Sequence, residues 1–206
     1  MNVRLKYDMG FTAGVYHDNK LRMNNYSLRL WMTTNCENSA DQNTSLERIK
    51  YFIYSQLDST IFINKNLEDQ CGQFAHAGLD ITTMPGDPVD QLIGIMLYYK
   101  LNAITEDRMI IMETEIASGL GENMTYLHSD FENTLGYVQP GWWTTPDLIH
   151  SDIVPVESEK IVSMPSGTSW RDLEMAWVDV ATDEPVSNET GNIVVFADFK
   201  QPNETK

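Results

Sequence analysis

The stretch Asn25-Tyr26-Ser27-Leu28-Arg29-Leu30-Trp31-Met32 decides how the chain begins to fold, because Tyr26, Leu28, Leu30 and Met32 alternate with Ser27, Arg29 and Trp31. A period of two places the first set on one side of a β-strand and the second set on the other. Upstream, Val3-Arg4-Leu5-Lys6-Tyr7 alternates in the same way, and Phe11-Thr12-Ala13-Gly14-Val15 follows it. Between the two arms lies His17-Asp18-Asn19-Lys20, a cluster of turn formers at which the chain reverses. Residues 3–33 therefore read as an antiparallel hairpin with long arms.

Further along, the apolar period becomes helical. Asn43-Thr44-Ser45 supplies caps ahead of Leu46, Ile49, Phe52 and Ile53, which predicts a helix over 45–57. After the loop Met84-Pro85-Gly86-Asp87-Pro88, the residues Val89, Leu92, Ile93, Met96, Leu97 and Leu101 share one face and predict a helix over 88–102. Thr60-Ile61-Phe62-Ile63 between them is a short strand or an extended segment. The run Arg108 to Ile116 is rich in strand formers, and Gly119-Leu120-Gly121-Glu122-Asn123 turns it back into Met124-Thr125-Tyr126-Leu127 as a second hairpin. The order strand, strand, helix, helix, strand, strand gives an α+β fold, an antiparallel sheet of two hairpins with two helices on one face.

Residues 129–206 differ in character. They carry turn formers over 136–146, apolar pieces at 153–156 and 160–164, and a strand pattern at 192–197. This predicts a first domain over 1–128 and a β-rich C-terminal extension over 129–206. Trp142, Trp143, Trp170 and Trp177 lie in the extension, so it is expected to pack on the domain or on an oligomer neighbour.

The chain has 206 residues and a formal charge of -16, from 14 basic and 30 acidic side chains. The extension alone holds four of the basic and 14 of the acidic residues, and its net charge is -10. Such a balance argues against direct binding of nucleic acid or anionic lipid. The apolar run Leu92 to Tyr99 falls short of the roughly 20 residues that a bilayer requires, and Met1-Asn2-Val3-Arg4 opens no signal sequence, so a cytoplasmic protein with no membrane association is expected. Cys36 and Cys71 read as free thiols, and His17, His76, His128 and His150 show no metal-ligand spacing.

Four local patterns, in order, resemble the 6-pyruvoyl-tetrahydropterin synthase and 6-carboxytetrahydropterin synthase family, whose tunnelling fold has this element order. Phe11-Thr12-Ala13-Gly14-Val15 is similar to F-x-A-A-H, and Leu21-Arg22-Met23-Asn24-Asn25-Tyr26 sits where L-H-G-H-N-Y belongs. Leu57-Asp58-Ser59 sits at L-D-H, and Met112-Glu113-Thr114 resembles the E-T that starts the last hairpin. Pro88-Val89-Asp90-Gln91-Leu92 also resembles the helix opening P-T-A-E-N-L. The resemblance covers about residues 3–128 and implies a divergent member.

The departures fall on the family's chemistry. Three histidines of the family hold zinc, and the corresponding positions here are Val15, Arg22 and Asn24, which do not form a zinc site. No cysteine lies in Tyr16-His17-Asp18-Asn19-Lys20, and Ser59 stands where the histidine of the acid–base pair belongs, leaving Asp58 without its relay partner. The resemblance therefore implies a pseudoenzyme with no metal and no cofactor. What it retains is Glu113, with Thr114 beside it, at the position where the family's carboxylate accepts two hydrogen bonds from a pterin ring.

Each candidate has a plainer alternative. Strict alternation puts Met109, Ile111, Glu113 and Glu115 on a solvent face, with Ile110, Met112, Thr114 and Ile116 toward the helices, so Glu113 is either a pocket anchor or a solvated carboxylate. Asp58 is a catalytic remnant or a turn residue. Arg22 and Asn24 bind a polar ligand in the vacated metal cavity or pair across strands. Two functional readings follow. One is a catalytically depleted protein that binds a pterin- or purine-like heterocycle or serves as a homo-oligomeric scaffold, since two hairpins leave two open sheet edges. The other is an acidic interaction protein, an inhibitor or nucleic-acid mimic.

Overall fold

The computed structural model describes residues 4–36, 38–129, 141–152 and 168–178. The pieces at 153–156, 160–164 and 192–197 lie outside the described residues. The first hairpin is as expected: β1 (Arg4–His17) runs antiparallel to β2 (Lys20–Thr34), with His17 opposite Lys20. Asp18 and Asn19 both take positive φ, 51° and 56°, which is the two-residue turn whose twist matches that of the strands. Met9, Phe11, Ala13 and Val15 of β1 and Tyr26, Leu28, Leu30 and Met32 of β2 are buried on one side.

The sheet is larger than two hairpins. Six strands lie in the order β4-β3-β1-β2-β5-β6, where β3 is Ile61–Asn64, β4 is Ile81–Met84, β5 is Met109–Ser118 and β6 is Thr125–Ser129. β3 pairs parallel with both β1 and β4, so the sheet is mixed. β3 falls on the short segment expected at 60–63, whereas β4, four residues buried throughout, shows no alternation for sequence reading to catch.

Three helices pack on this sheet, not two. α1 (Ser39–Tyr51) and α3 (Asp90–Thr105) cover the face with the main core, whereas α2 (Glu68–His76) packs its Cys71, Phe74 and Ala75 against Ile61, Ile63 and Ile81 on the other face. α1 begins six residues before the expected start. Asn38 is its cap, accepting from the Asp41 N–H at 2.7 Å, while Ser45 is interior and bonds back to the Asp41 carbonyl at 2.8 Å. Its last turn widens into a π-helix over Phe52–Leu57, closed by the Asp58 N–H on the Ile53 carbonyl at 3.0 Å.

α3 is buried nearly all round, as a helix enclosed by sheet, α1 and the chain's C-terminal portion must be. Its backbone comes close to β5: a Cβ at Gly94 would stand 2.8 Å from the Ile116 side chain, and the Thr114 hydroxyl donates to the Gly94 carbonyl at 3.3 Å. Residues 141–152 and 168–178 lie against this helix layer. Trp142, Trp143 and Trp170 are buried there, and Arg48 of α1 holds the second segment by donating to the Met175 carbonyl at 2.9 Å, with its guanidinium 3.7 Å from the Trp177 ring.

Candidate functional site

The residues singled out from the sequence fall at two separate places. Arg22, Asn24 and Asp58 lie at the hairpin-tip end of the sheet. Val15 is the cross-strand partner of Arg22 and Ala13 that of Asn24. Glu113, by contrast, stands opposite Trp31. Seven residues separate Trp31 from Asn24, about 23 Å of strand. The two also occupy opposite faces, since Asn24 is buried with Tyr26 and Leu28 toward the helices and Glu113 shares the outer face with Trp31 and Glu115.

At the hairpin-tip end each candidate has a structural duty. Asp58 is exposed, and its Oδ1 accepts from the Thr12 N–H at 2.8 Å while the Ser59 N–H donates to the Thr12 carbonyl at 2.6 Å. Together they continue the β1 ladder past the end of β3. Ser59 reaches this position with a φ of 71°. Asn24 is buried, and its Oδ1 accepts from the Leu120 N–H at 3.1 Å, tying β2 to the turn after β5. Val15 belongs to the main core. Arg22 is exposed.

A zinc ion does not fit these side chains. Val15 has no donor atom, Arg22 is a cation, and the amide oxygen of Asn24 is already spent on Leu120. Among the described residues, no group of three His, Cys, Asp or Glu side chains could hold a metal.

Beside Asn24 lies a buried polar cluster that sequence reading missed. Asp90, at the first position of α3, accepts from the Ser118 hydroxyl at 2.6 Å, and Ser118 in turn accepts from the Gly121 N–H at 3.1 Å. A Cβ at Gly121 would collide with the Asp90 carboxylate, so glycine is required for the turn to close on it. The Tyr26 hydroxyl is buried with the Asn24 amide and the Asp90 carboxylate in its surroundings, yet it meets no partner in hydrogen-bonding geometry. Burial raises its phenol above the ordinary range, with the Asn24 side chain opposing and Asp90 adding to the effect. A carboxylate in the first turn of a helix is ordinary, and only the packing of β2 and β5 beneath Asp90 makes it an interior group.

No protein-family model and no curated protein matches the chain. Solved structures do. A 6-pyruvoyltetrahydropterin synthase from Plasmodium vivax shares 12% identity over 62% of this chain and 97% of its own, at a TM-score of 0.40. A catalytic-residue mutant of that protein matches equally, and the Plasmodium falciparum 6-pyruvoyl tetrahydropterin synthase shares 12% identity over 64% of this chain and 99% of its own, at the same TM-score.

The other end of the site carries Glu113 and Thr114. Thr114 is buried toward α3, so the two neighbours face opposite sides of the sheet. Glu113 is half-buried and makes no hydrogen bond or ion pair among the described residues, whereas the polar groups around it are paired. Glu115 accepts from Arg29 at 2.9 Å and from the Trp31 indole at 2.7 Å, and Arg29 bonds Asp8 at 2.6 Å. Arg29, and then Lys6, hold the Asp8 carboxyl below its usual range. Lys6, Asp8, Arg29 and Glu115 thus form a ladder of alternating charge on the outer face. No helix among the described residues is long and apolar enough to cross a membrane.

Proposed function

We propose that this protein is a non-catalytic tunnelling-fold scaffold that assembles with copies of itself through the β6 side of its sheet. The observation that carries this reading is the inequality of the two sheet edges. β4 is covered by residues 141–152, with the Trp142 indole bonded to the Thr83 carbonyl at 2.8 Å. β6 has no strand on its far side among the described residues, and Leu127 on it is 54% exposed. An edge strand that exposes an apolar residue favours strand addition. Support for the loss of catalysis comes from Val15 in the core and from Asn24, whose oxygen is committed to Leu120. Residues 141–152 then close the β4 edge, and the β6 edge serves assembly.

Light scattering coupled to size exclusion tests the reading. The wild type is expected as a homo-oligomer, and Leu127→Lys, which places a charge on the edge, as a monomer with an unchanged thermal melt. A monomeric wild type at micromolar concentration overturns it. Elemental analysis is expected to find no stoichiometric zinc.

A second reading keeps the heterocycle. The unpaired Glu113 carboxylate on the outer face supports it, because a carboxylate without an internal partner has both oxygens available to the N–H edge of a pterin- or purine-like ring. Titration calorimetry with a pterin checks it, and Glu113→Gln is expected to weaken any binding at least about tenfold.

A further inference from the structure

We propose that residues 141–152 are an edge guard, latched on Lys100, that keeps β4 from pairing with a second copy of this chain. The inference rests on the self-association reading only for the occupant of the uncovered edge; the latch stands on its own geometry.

Lys100 lies in the middle of α3 and is fully buried. Its ammonium donates to three backbone carbonyls, those of Trp142 at 2.9 Å, Thr145 at 3.0 Å and Asp147 at 2.6 Å. An ammonium has three N–H donors, and a single six-residue stretch supplies an acceptor for each. The Phe52 and Trp142 rings flank the charge at 5.5 and 5.6 Å. A carbonyl cage of this kind cannot form unless the chain curls around the side chain, so Lys100 sets the path of residues 142–147.

That path delivers the segment to the sheet edge. β3 takes the carbonyls of Asp80 and Met84 through the Ile61 and Lys65 N–H groups, both at 2.9 Å. Because backbone groups alternate sides along a strand, the Thr83 carbonyl points away from β3, toward where another strand would add. It is occupied instead by the Trp142 indole at 2.8 Å, and the Thr83 hydroxyl accepts from the Asp152 N–H at 2.9 Å. The Asp152 carboxylate closes the loop on the Trp142 N–H at 3.2 Å. The segment thus meets β4 with side-chain and loop contacts that occupy the outward Thr83 carbonyl without extending the sheet, a device natural sheets use against edge-to-edge pairing.

The test compares the full chain with Lys100→Met, which keeps the length of the side chain and removes all three donors. Hydrogen–deuterium exchange is expected to rise at least about tenfold in peptides spanning 141–152 and 81–84, with the mass by light scattering growing above that of the wild type as concentration increases. Trp142→Phe with Asp152→Ala, which leaves Lys100 in place and removes the indole bond and the closing clasp, carries the test if Lys100→Met does not fold, with the same outcome expected. Unchanged exchange in these peptides overturns the latch. Faster exchange with no gain in mass overturns the guard. A monomeric wild type whose latch variant assembles defeats the scaffold reading and leaves this inference standing.

Discussion

Trp31 stands opposite Glu113 across the β2–β5 ladder while its neighbour Met32 stands opposite Ile111, so Met112 of β5 is an extra residue with no partner. This bulge reverses the phase of the strand. Met109 and Ile111 before it are buried, and so are Thr114, Ile116 and Ser118 after it, although strict alternation would put the two sets on opposite faces. The bulge therefore decides that Glu113 and Glu115 both look outward from a sheet whose other face is core.

The two carboxylates should respond differently to removal. Glu113→Ala is expected to change unfolding free energy by less than about 0.5 kcal/mol, because no internal contact is lost. Glu115→Ala takes the acceptor from the Trp31 indole and is expected to cost about 1 kcal/mol. Urea titrations of both variants decide it; equal costs would show that Glu113 has a partner in the folded chain.

Tyr26→Phe is expected to leave stability unchanged or to raise it by up to about 1 kcal/mol, since the hydroxyl that it deletes is buried without a partner. The ring itself matters, being stacked on Phe11 with centroids 4.8 Å apart. A loss above about 1 kcal/mol in chemical denaturation would mean that the Asn24 side chain or an ordered water satisfies the hydroxyl.

Asp58 and Ser59 are separable by their duties. Asp58→Ala removes the acceptor for the Thr12 N–H and is expected to cost about 1 kcal/mol. Ser59→Gly relieves a left-handed backbone and is expected to stabilise by about 0.5–1 kcal/mol. Thermal melts of the two variants moving in opposite directions check the assignment of this corner as structural.

Stability should rise with pH above neutrality. Burial brings the Lys100 ammonium down from 10.5 to about 7, with Asp147 partly opposing. Between those values the unfolded chain holds a proton that the folded chain lacks, so unfolding free energy increases with pH at up to about 1.4 kcal/mol per unit, and this contribution is flat below about 7. His150 acts in the same direction at lower pH. Burial first, and then Lys100, hold its imidazole below 6.5 against Asp80 and the Leu148 backbone, so stability falls as the unfolded chain protonates below that value. Denaturant midpoints from pH 5 to 9.5 check the sign, and in Lys100→Met the alkaline rise should vanish.

The first hairpin was legible because both of its faces differ in polarity, and α3 because its apolar positions recur at helical spacing. β3 was legible only as a short strand or an extended segment, and α2 and β4 were not. Two four-residue strands buried on both sides carry no periodic signal, and α2 offers only the short apolar set Cys71, Phe74 and Ala75. Lys100 did leave a trace, falling three residues after Leu97 and four after Met96 on the core-facing side of α3. A cation at that spacing signals a buried acceptor set, but nothing local says which.

By itself, then, the sequence determined the α+β frame, the turn at Asp18-Asn19, and the unsuitability of Val15, Arg22 and Asn24 for zinc, because alternation, turn conformation and donor chemistry are properties of neighbouring residues. Only the tertiary structure decided which carboxylates are interior, which sheet edge is closed, and that Asn24 and Glu113 lie about 23 Å apart on opposite faces. Those outcomes depend on a one-residue bulge at Met112 and on long-range contacts such as Lys100 to residues 142–147, whose energies are set by burial and register between segments far apart in the chain.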